Sequence, residues 1–408
     1  MSDFPVIDIS EFTATKSATG SSDAKRAVAR RVDEVCRETG FLAVSGHGVP
    51  PEIIENAWAA GRAFFELATE KKLAVRMLYD GYPYGYSPLQ AEALAKSQGN
   101  ETPPDLKESF NIGPLEQKVH VENDPDEDFR YAANIWPSEP AGFQDAATAY
   151  YRALSELAAR IMRVFALALD LPENYFEDAI DDPISAMRML NYPHTGVTPK
   201  PGQLRAGAHS DYGSLTILLA DAAPGGLEIR SPEGQWVAVP NLPGAFIVNI
   251  GDLMARWTND RWISTLHRVV NPSPDQSGST RRQSFAFFHQ PNWDAEITCI
   301  PTCLAEGEKP KYPPVRSGEY LMNKFRGTTV KVDAASAGSE AISKTRNSIP
   351  RLRLATQSCV SHRDLSRHAR VANKQIHVGL QCRASAGLRQ IAQQIRRNGL
   401  SLDAFGVC

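Results

Sequence analysis

Three side chains in this sequence have the types and spacing of a metal site. His209 and Asp211 stand two apart in Ala208-His209-Ser210-Asp211-Tyr212-Gly213-Ser214-Leu215-Thr216. Residues two apart at the entrance of a strand point to one side of the sheet, so an imidazole and a carboxylate are expected on one wall. His267, in Thr265-Leu266-His267-Arg268-Val269-Val270, completes the set if its strand lies alongside. Two histidines and one carboxylate form the facial triad that holds iron(II) and leaves other coordination positions open. Those open positions are what an oxo-acid chelate and O₂ require, and a closed four-ligand site would be inert. A lone His-x-Asp is more often a structural pair, and what raises it here is the order in which His267 and Arg282-Gln283-Ser284 follow.

Arg282 and Ser284 are also two apart and face one way along a strand. A guanidinium grips a carboxylate in fork geometry, and the hydroxyl adds one hydrogen bond. Tyr192, in Leu190-Asn191-Tyr192-Pro193, is placed to donate a third. This anchor suits the distal carboxylate of a small diacid co-substrate, whose other end, a 2-oxo carboxylate, would chelate the metal. The same anchor can grip a substrate carboxylate instead, which leaves an oxidase that needs no such co-substrate open as an alternative. A zinc hydrolase uses the same three ligands, but it does not account for Arg-x-Ser. A non-catalytic binding module does not account for the three ligands.

The remaining histidines read differently. His47 lies in a turn and is structural, His120 and His194 read as solvated loop residues, and His289 follows a strand near the pocket mouth as a candidate substrate contact. Asp252 follows Asn249-Ile250-Gly251 and is expected to fix a turn by hydrogen bonding.

The elements that must carry these residues are legible in outline. Phe4 to Ile9 reads as a short strand, Ala24 to Glu38 as an amphipathic helix, Gly40 to Ser45 as a strand and Glu52 to Leu67 as a helix. The Gly/Pro/Tyr-rich segment from Tyr79 to Pro104 reads as a strand-free loop with a cluster of tyrosines, and long helices fill Pro140 to Leu171. From Ser185 the pattern changes to short apolar runs: Ala186 to Tyr192, Leu215 to Ala220, Leu227 to Arg230, Trp236 to Val239, Ala245 to Ile250, His267 to Val270 and Ser284 to His289. Short strands at such spacing imply a β-sandwich or barrel, of which the jelly roll is one form. A helix over Ser317 to Phe325 closes the series.

Composition excludes several classes. With 42% hydrophobic and 22% charged residues, the chain belongs with globular proteins that fold in water. No apolar stretch approaches a membrane span, and the start carries no secretory pattern, so a cytoplasmic location is expected. The six cysteines, Cys36, Cys299, Cys303, Cys359, Cys382 and Cys408, show no disulfide framework or paired zinc-binding pattern. From Asp333 onward there are 12 Lys+Arg against 4 Asp+Glu, a net of +8, which leaves −11 for residues 1–332 in a chain of net −3. The basic segment 333–408 is expected to be mostly unstructured, with one weak helix over Leu388 to Ile395. It reads as an extension, so no nucleic-acid partner is expected.

In order and spacing these residues resemble the isopenicillin N synthase-like branch of the iron(II)/2-oxoglutarate dioxygenases, which includes plant flavonoid and gibberellin oxidases. Further landmarks are Pro5-Val6-Ile7-Asp8, Gly40-Phe41, Gly46-His47-Gly48-Val49, Asp105-Leu106-Lys107-Glu108, Gly225-Gly226-Leu227, Asn249-Ile250-Gly251-Asp252 and His267-Arg268. The resemblance runs from residue 4 to about residue 332. It implies a mainly β, α+β fold: a distorted double-stranded β-helix (jelly roll) flanked by helices. A region 1–120 would pack on an oxygenase domain at 121–332. It further implies iron(II) on His209, Asp211 and His267, and 2-oxoglutarate on Arg282 and Ser284, with Tyr192 and Asn191 from a looser motif. O₂ would be consumed and succinate and CO₂ released while a small organic molecule is oxidised, most simply hydroxylated. The substrate's identity is not implied, and a monomer is expected.

Overall fold

A computed structural model describes residues 4–13, 23–79, 81–100, 102–116, 126–194 and 198–328, all within the unit Met1–Val332. His120, the basic segment with its expected helix, and Cys359, Cys382 and Cys408 lie outside the described residues.

The strands are β1 (Val6–Asp8), β2 (Phe41–Ser45), β3 (Gly85–Ser87), β4 (Glu108–Ile112), β5 (Ala186–Tyr192), β6 (Ala206–His209), β7 (Leu215–Ala220), β8 (Leu227–Arg230), β9 (Trp236–Ala238), β10 (Phe246–Ile250), β11 (His267–Val269) and β12 (Arg282–His289), followed by a two-stranded pair, β13 (Glu296–Ile297) and β14 (Val315–Arg316). Eight strands form one sheet in the order β1-β2-β10-β7-β12-β5-β4-β3, and four form a second in the order β6-β11-β8-β9. β1 and β2 run parallel, while the other neighbours in both sheets run antiparallel. The larger sheet draws β1 to β4 from residues 1–120 and its other strands from residues 121–332, so the two segments share one layer.

Alternation along the strands creates two faces and hence two cores. On β12, Phe285 and Phe287 pack edge-on against Tyr150 and Tyr151 of the helix Phe143–Ala168, with ring centroids 5.8 and 5.2 Å apart. That helix and its neighbours Asp23–Glu38 and Pro51–Phe65 cover this face with the main apolar core. The other face turns toward the smaller sheet. There Phe41, Ala43 and Ile247 meet Leu227 and Ile229 at one end, and Leu190, Tyr192 and Ala286 meet Ala206 and Val269 at the other. Two facing sheets with helices on the outer face are the jelly-roll arrangement expected from the strand count.

Two expectations are corrected and two strands were not foreseen. The segment Tyr79 to Pro104 is not strand-free: it contains β3, paired with β4, and a 3-10 turn over Leu94–Gln98. A three-residue strand is too short to show alternation. β4 went unread because its inward positions are the polar Ser109 and Asn111, and β6 because Ala206-Gly207-Ala208 has no β-forming side chains. Asp252 begins a short helix, Asp252–Trp257, rather than sitting in a turn.

Candidate metal and co-substrate site

Strand pairing assembles the triad. β11 runs antiparallel to β6 and sets His267 opposite His209, with ring centroids 4.4 Å apart. Each imidazole points Nδ1 at a backbone carbonyl two residues earlier: His209 at Gly207 (2.7 Å) and His267 at Thr265 (3.1 Å). A carbonyl only accepts, so Nδ1 carries a proton and Nε2 is the ring atom available to a metal.

Asp211 reaches the same point by a different route from the one expected. β6 ends at His209, and Asp211 lies in the turn before β7, so strand alternation does not aim it. Hydrogen bonds do. Thr216 Oγ1 and Asn249 Nδ2 both donate to Asp211 Oδ2, at 2.6 and 2.8 Å. This turns Oδ1 toward the two imidazoles, 3.9 Å from His209 Nε2 and 3.7 Å from His267 Nε2. One ligand atom from each of the three residues lies within 4.8 Å of the others. The turn is held by close backbone packing: a Cβ on Gly251 would stand 2.1 Å from the Gly213 carbonyl oxygen, and one on Gly213 2.3 Å from that of His289.

The charge states suit metal binding. Burial pushes the His209 imidazole down to about 3, and the neighbouring His267 adds to this against the pull of Asp211. For Asp211, burial favours the neutral acid. The two imidazoles and the hydrogen bonds from Thr216 and Asn249 outweigh it and hold the carboxyl below its ordinary value. A neutral imidazole and an ionised carboxylate are the ligating forms. His209 has 16% of its side chain exposed, against 5% for Asp211 and 9% for His267, so the cluster opens on the His209 side. Behind it, Asp252 accepts from Ser210 (3.2 Å), Ser264 (2.6 Å) and Lys324 (2.7 Å), which ties the turn to the helix Ser317–Thr328.

Arg282 and Ser284 lie on the inward face of β12, and Tyr192 stands opposite Arg282 on β5. The Arg282 guanidinium is 5.1 Å from the Tyr192 ring centroid. Arg282 is only 3% exposed, yet its Nη1 has no hydrogen-bond partner. A buried cation with an unpaired donor is costly unless an anion meets it. Arg205, which sequence reasoning missed, lies 5.8 Å from the same ring and donates to the carbonyls of Pro224 and Thr280. Burial and the charge of Arg282 bring its guanidinium down to about 10. No sequence signal marked it, since it lies outside every quoted motif.

Two of the expected residues are not brought to the site. Asn191 points to the helix-covered face, where its Nδ2 donates to Glu108 (2.7 Å) and its Oδ1 accepts from Arg281 (2.8 Å), because odd and even positions of β5 face opposite ways. His289 is no pocket-mouth contact: it ends β12 fully buried, with Nδ1 2.6 Å from Ser214 Oγ. His47 is structural as expected, its Nδ1 accepting from the Val49 amide. His194 is paired with Thr280. Thr216 and Asn249 stood in quoted motifs without a role, and their role is to hold Asp211.

Comparison with known proteins agrees with this geometry. Residues 4–139 match the N-terminal family of non-haem dioxygenases described from morphine synthesis, and residues 184–291 match the 2OG-Fe(II) oxygenase superfamily. The chain is 33% identical over 341 residues to the 2-oxoglutarate-Fe(II) type oxidoreductase hxnY of Emericella nidulans, covering 81% of this chain and 91% of that protein. It is 33% identical over 328 residues to a homoarginine-6-hydroxylase of Oryza sativa subsp. japonica, covering 78% and 95%. The crystal structure of a full-length Neurospora crassa protein in complex with α-ketoglutarate superposes with a TM-score of 0.68 at 33% identity, covering 80% of this chain and 96% of that one; the same protein has also been solved with α-ketoglutarate and thymine. With two inward-facing imidazoles, an ionised carboxylate and a buried guanidinium whose Nη1 lacks a partner fitting that cofactor set, the chain belongs to the 2OG-Fe(II) oxygenase superfamily and is a 2-oxoglutarate-dependent dioxygenase.

Proposed function

We propose that this enzyme hydroxylates a free small organic molecule, with iron(II) on His209, Asp211 and His267 and with 2-oxoglutarate held through its distal carboxylate by Arg282, Ser284 and Tyr192. The observation that carries the reading is the unpartnered Nη1 of Arg282, buried on the inward face of β12. When bound, the iron centre supplies the oxidising chemistry, coupling conversion of 2-oxoglutarate and O₂ to succinate and CO₂ with oxygen insertion into a substrate C–H bond.

The protein's part is placement. Thr216 and Asn249 fix Asp211, the carbonyls of Gly207 and Thr265 fix the ring protons of the two histidines, and the paired sheets exclude water from the anchor. Relatives named as homoarginine-6-hydroxylases support hydroxylation as the outcome. No helix among the described residues is long and apolar enough to cross a membrane. A cytoplasmic monomer acting on free metabolites rather than on nucleic acid fits the −11 charge of residues 1–332.

The test is product stoichiometry. Iron-loaded protein given 2-oxoglutarate, O₂ and an accepted substrate should release one succinate per hydroxylated product, with Arg282→Ala sharply lowering both at a 2-oxoglutarate concentration that saturates the wild type. Substrate oxidation that consumes O₂ without 2-oxoglutarate would instead assign the oxidase reaction.

A further inference from the structure

Asn111 is buried, at 4% exposure, and neither its Oδ1 nor its Nδ2 has a hydrogen-bond partner. Among the described residues, Gln283 and Gln290 each leave one side-chain oxygen unpaired, but only Asn111 leaves a whole carboxamide so. Buried polar groups are as a rule satisfied, and one that is not calls for a partner.

Alternation on β4 tells which way it faces. Phe110 packs against Phe64 and Phe143 on the helix-covered side, so Asn111 faces the smaller sheet. Register then places it. Asn111 pairs with Arg188, Arg188 with Ala286, and Ala286 with Leu218, which makes one row across the sheet. The row on one side contains Ser284 of the co-substrate anchor. The row on the other contains Thr216, which holds Asp211. Asn111 therefore lies on the iron-facing wall between the two, about 10 Å from β12 across two strand spacings, the width of a small molecule.

The charges around it are balanced. Arg188 Nη1 donates to Glu92 (3.0 Å), and Lys107 Nζ lies between Glu92 (3.1 Å) and Asp105 (3.2 Å). Two cations meet two carboxylates. Burial alone would raise the Glu92 carboxyl, but Arg188 and Lys107 hold it down to about 2, and the paired charges leave no net charge for a ligand to neutralise.

We propose that Asn111 is the specificity-determining residue of the substrate pocket and that the substrate is an uncharged molecule bearing N–H and C=O groups on adjacent atoms, such as a lactam, a cyclic imide or a heterocyclic amide. A carboxamide offers one acceptor and one donor edge side by side. An N–H/C=O pair meets both at once, whereas a carboxylate or an ammonium ion satisfies one and leaves the other unpaired. This rests on the functional reading above, since it takes the space between the two rows as the place where substrate meets iron.

The experiment is anaerobic calorimetry on the full chain loaded with iron(II). 2-Oxoglutarate is titrated first, then thymine, glutarimide or δ-valerolactam, with homoarginine and hexanoate as charged comparators. At least one of the three amides is expected to bind more tightly than both charged probes. Asn111→Ala should weaken that binding roughly ten- to hundredfold, as expected for a lost buried hydrogen-bonding pair, while 2-oxoglutarate affinity stays within about twofold. Asn111→Asp keeps the size and replaces the donor with an acceptor, and it should weaken amide binding as much even if the alanine variant folds poorly. Tighter binding of a charged probe, no binding of any amide, or amide binding indifferent to both substitutions overturns the proposal. Failure of the wild-type protein to bind 2-oxoglutarate at all would strike the functional reading instead.

Discussion

The Nε2 atoms of His209 and His267 approach the same oxygen of Asp211, at 3.9 and 3.7 Å, while the other oxygen is taken by Thr216 and Asn249. The carboxylate is thus divided, one oxygen for the scaffold and one for the metal. Such supporting hydrogen bonds commonly contribute roughly 10- to 100-fold in metal affinity. Thr216→Val, which keeps the side-chain shape and removes the donor, is expected to weaken iron(II) binding by about that factor in a chelator competition. An unchanged affinity would mean that Asn249 alone positions Asp211.

Arg282→Lys separates charge from geometry. Lysine keeps the cation but not the planar fork that matches a carboxylate. The KM for 2-oxoglutarate is expected to rise roughly ten- to hundredfold, with a smaller change in kcat, because the contact to the distal carboxylate is the same in the ground and transition states. Steady-state succinate release at varied 2-oxoglutarate reads this directly, and a loss confined to kcat would contradict the anchoring role.

His289 supplies a pH dependence. Burial pushes its imidazole down to about 4, against about 6.5 in an unfolded chain. Below about 6.5 the unfolded chain binds a proton that the folded one refuses, so the folded state is fully favoured above that pH and loses stability as pH falls toward 4. Between pH 7 and pH 5 the metal-free His289→Gln variant is expected to lose about 2 kcal/mol less stability than the wild type in urea denaturation. Equal losses in the two proteins would show that His289 protonates freely in the folded state.

How much of this was legible in the sequence depends on the kind of contact. His267, Arg282 and Ser284 were readable because alternation along a strand is a local property, and the pairing of β11 with β6 needed only an antiparallel neighbour. Asp211 stands beside the two histidines for a reason other than strand alternation: it lies in a turn aimed by Thr216 and Asn249, and hydrogen bonds from residues 5 and 38 positions away leave no periodic trace. Asn191 was misplaced because adjacency to Tyr192 in the sequence means the opposite face in a strand. β4 and β6 were missed because they carry polar or small residues where the usual strand pattern has apolar ones. The inward positions of β4 are where the substrate proposal now rests.

The most direct test of the two-part site is the visible spectrum of anaerobic protein given iron(II) and then 2-oxoglutarate. A weak metal-to-ligand charge-transfer band is expected in the wild-type protein, absent in His209→Ala and formed only at much higher 2-oxoglutarate in Arg282→Ala. Metal binding without any such band in the wild-type protein would contradict chelation of the oxo-acid at this site, and a band that persists unchanged in His209→Ala would place the metal elsewhere.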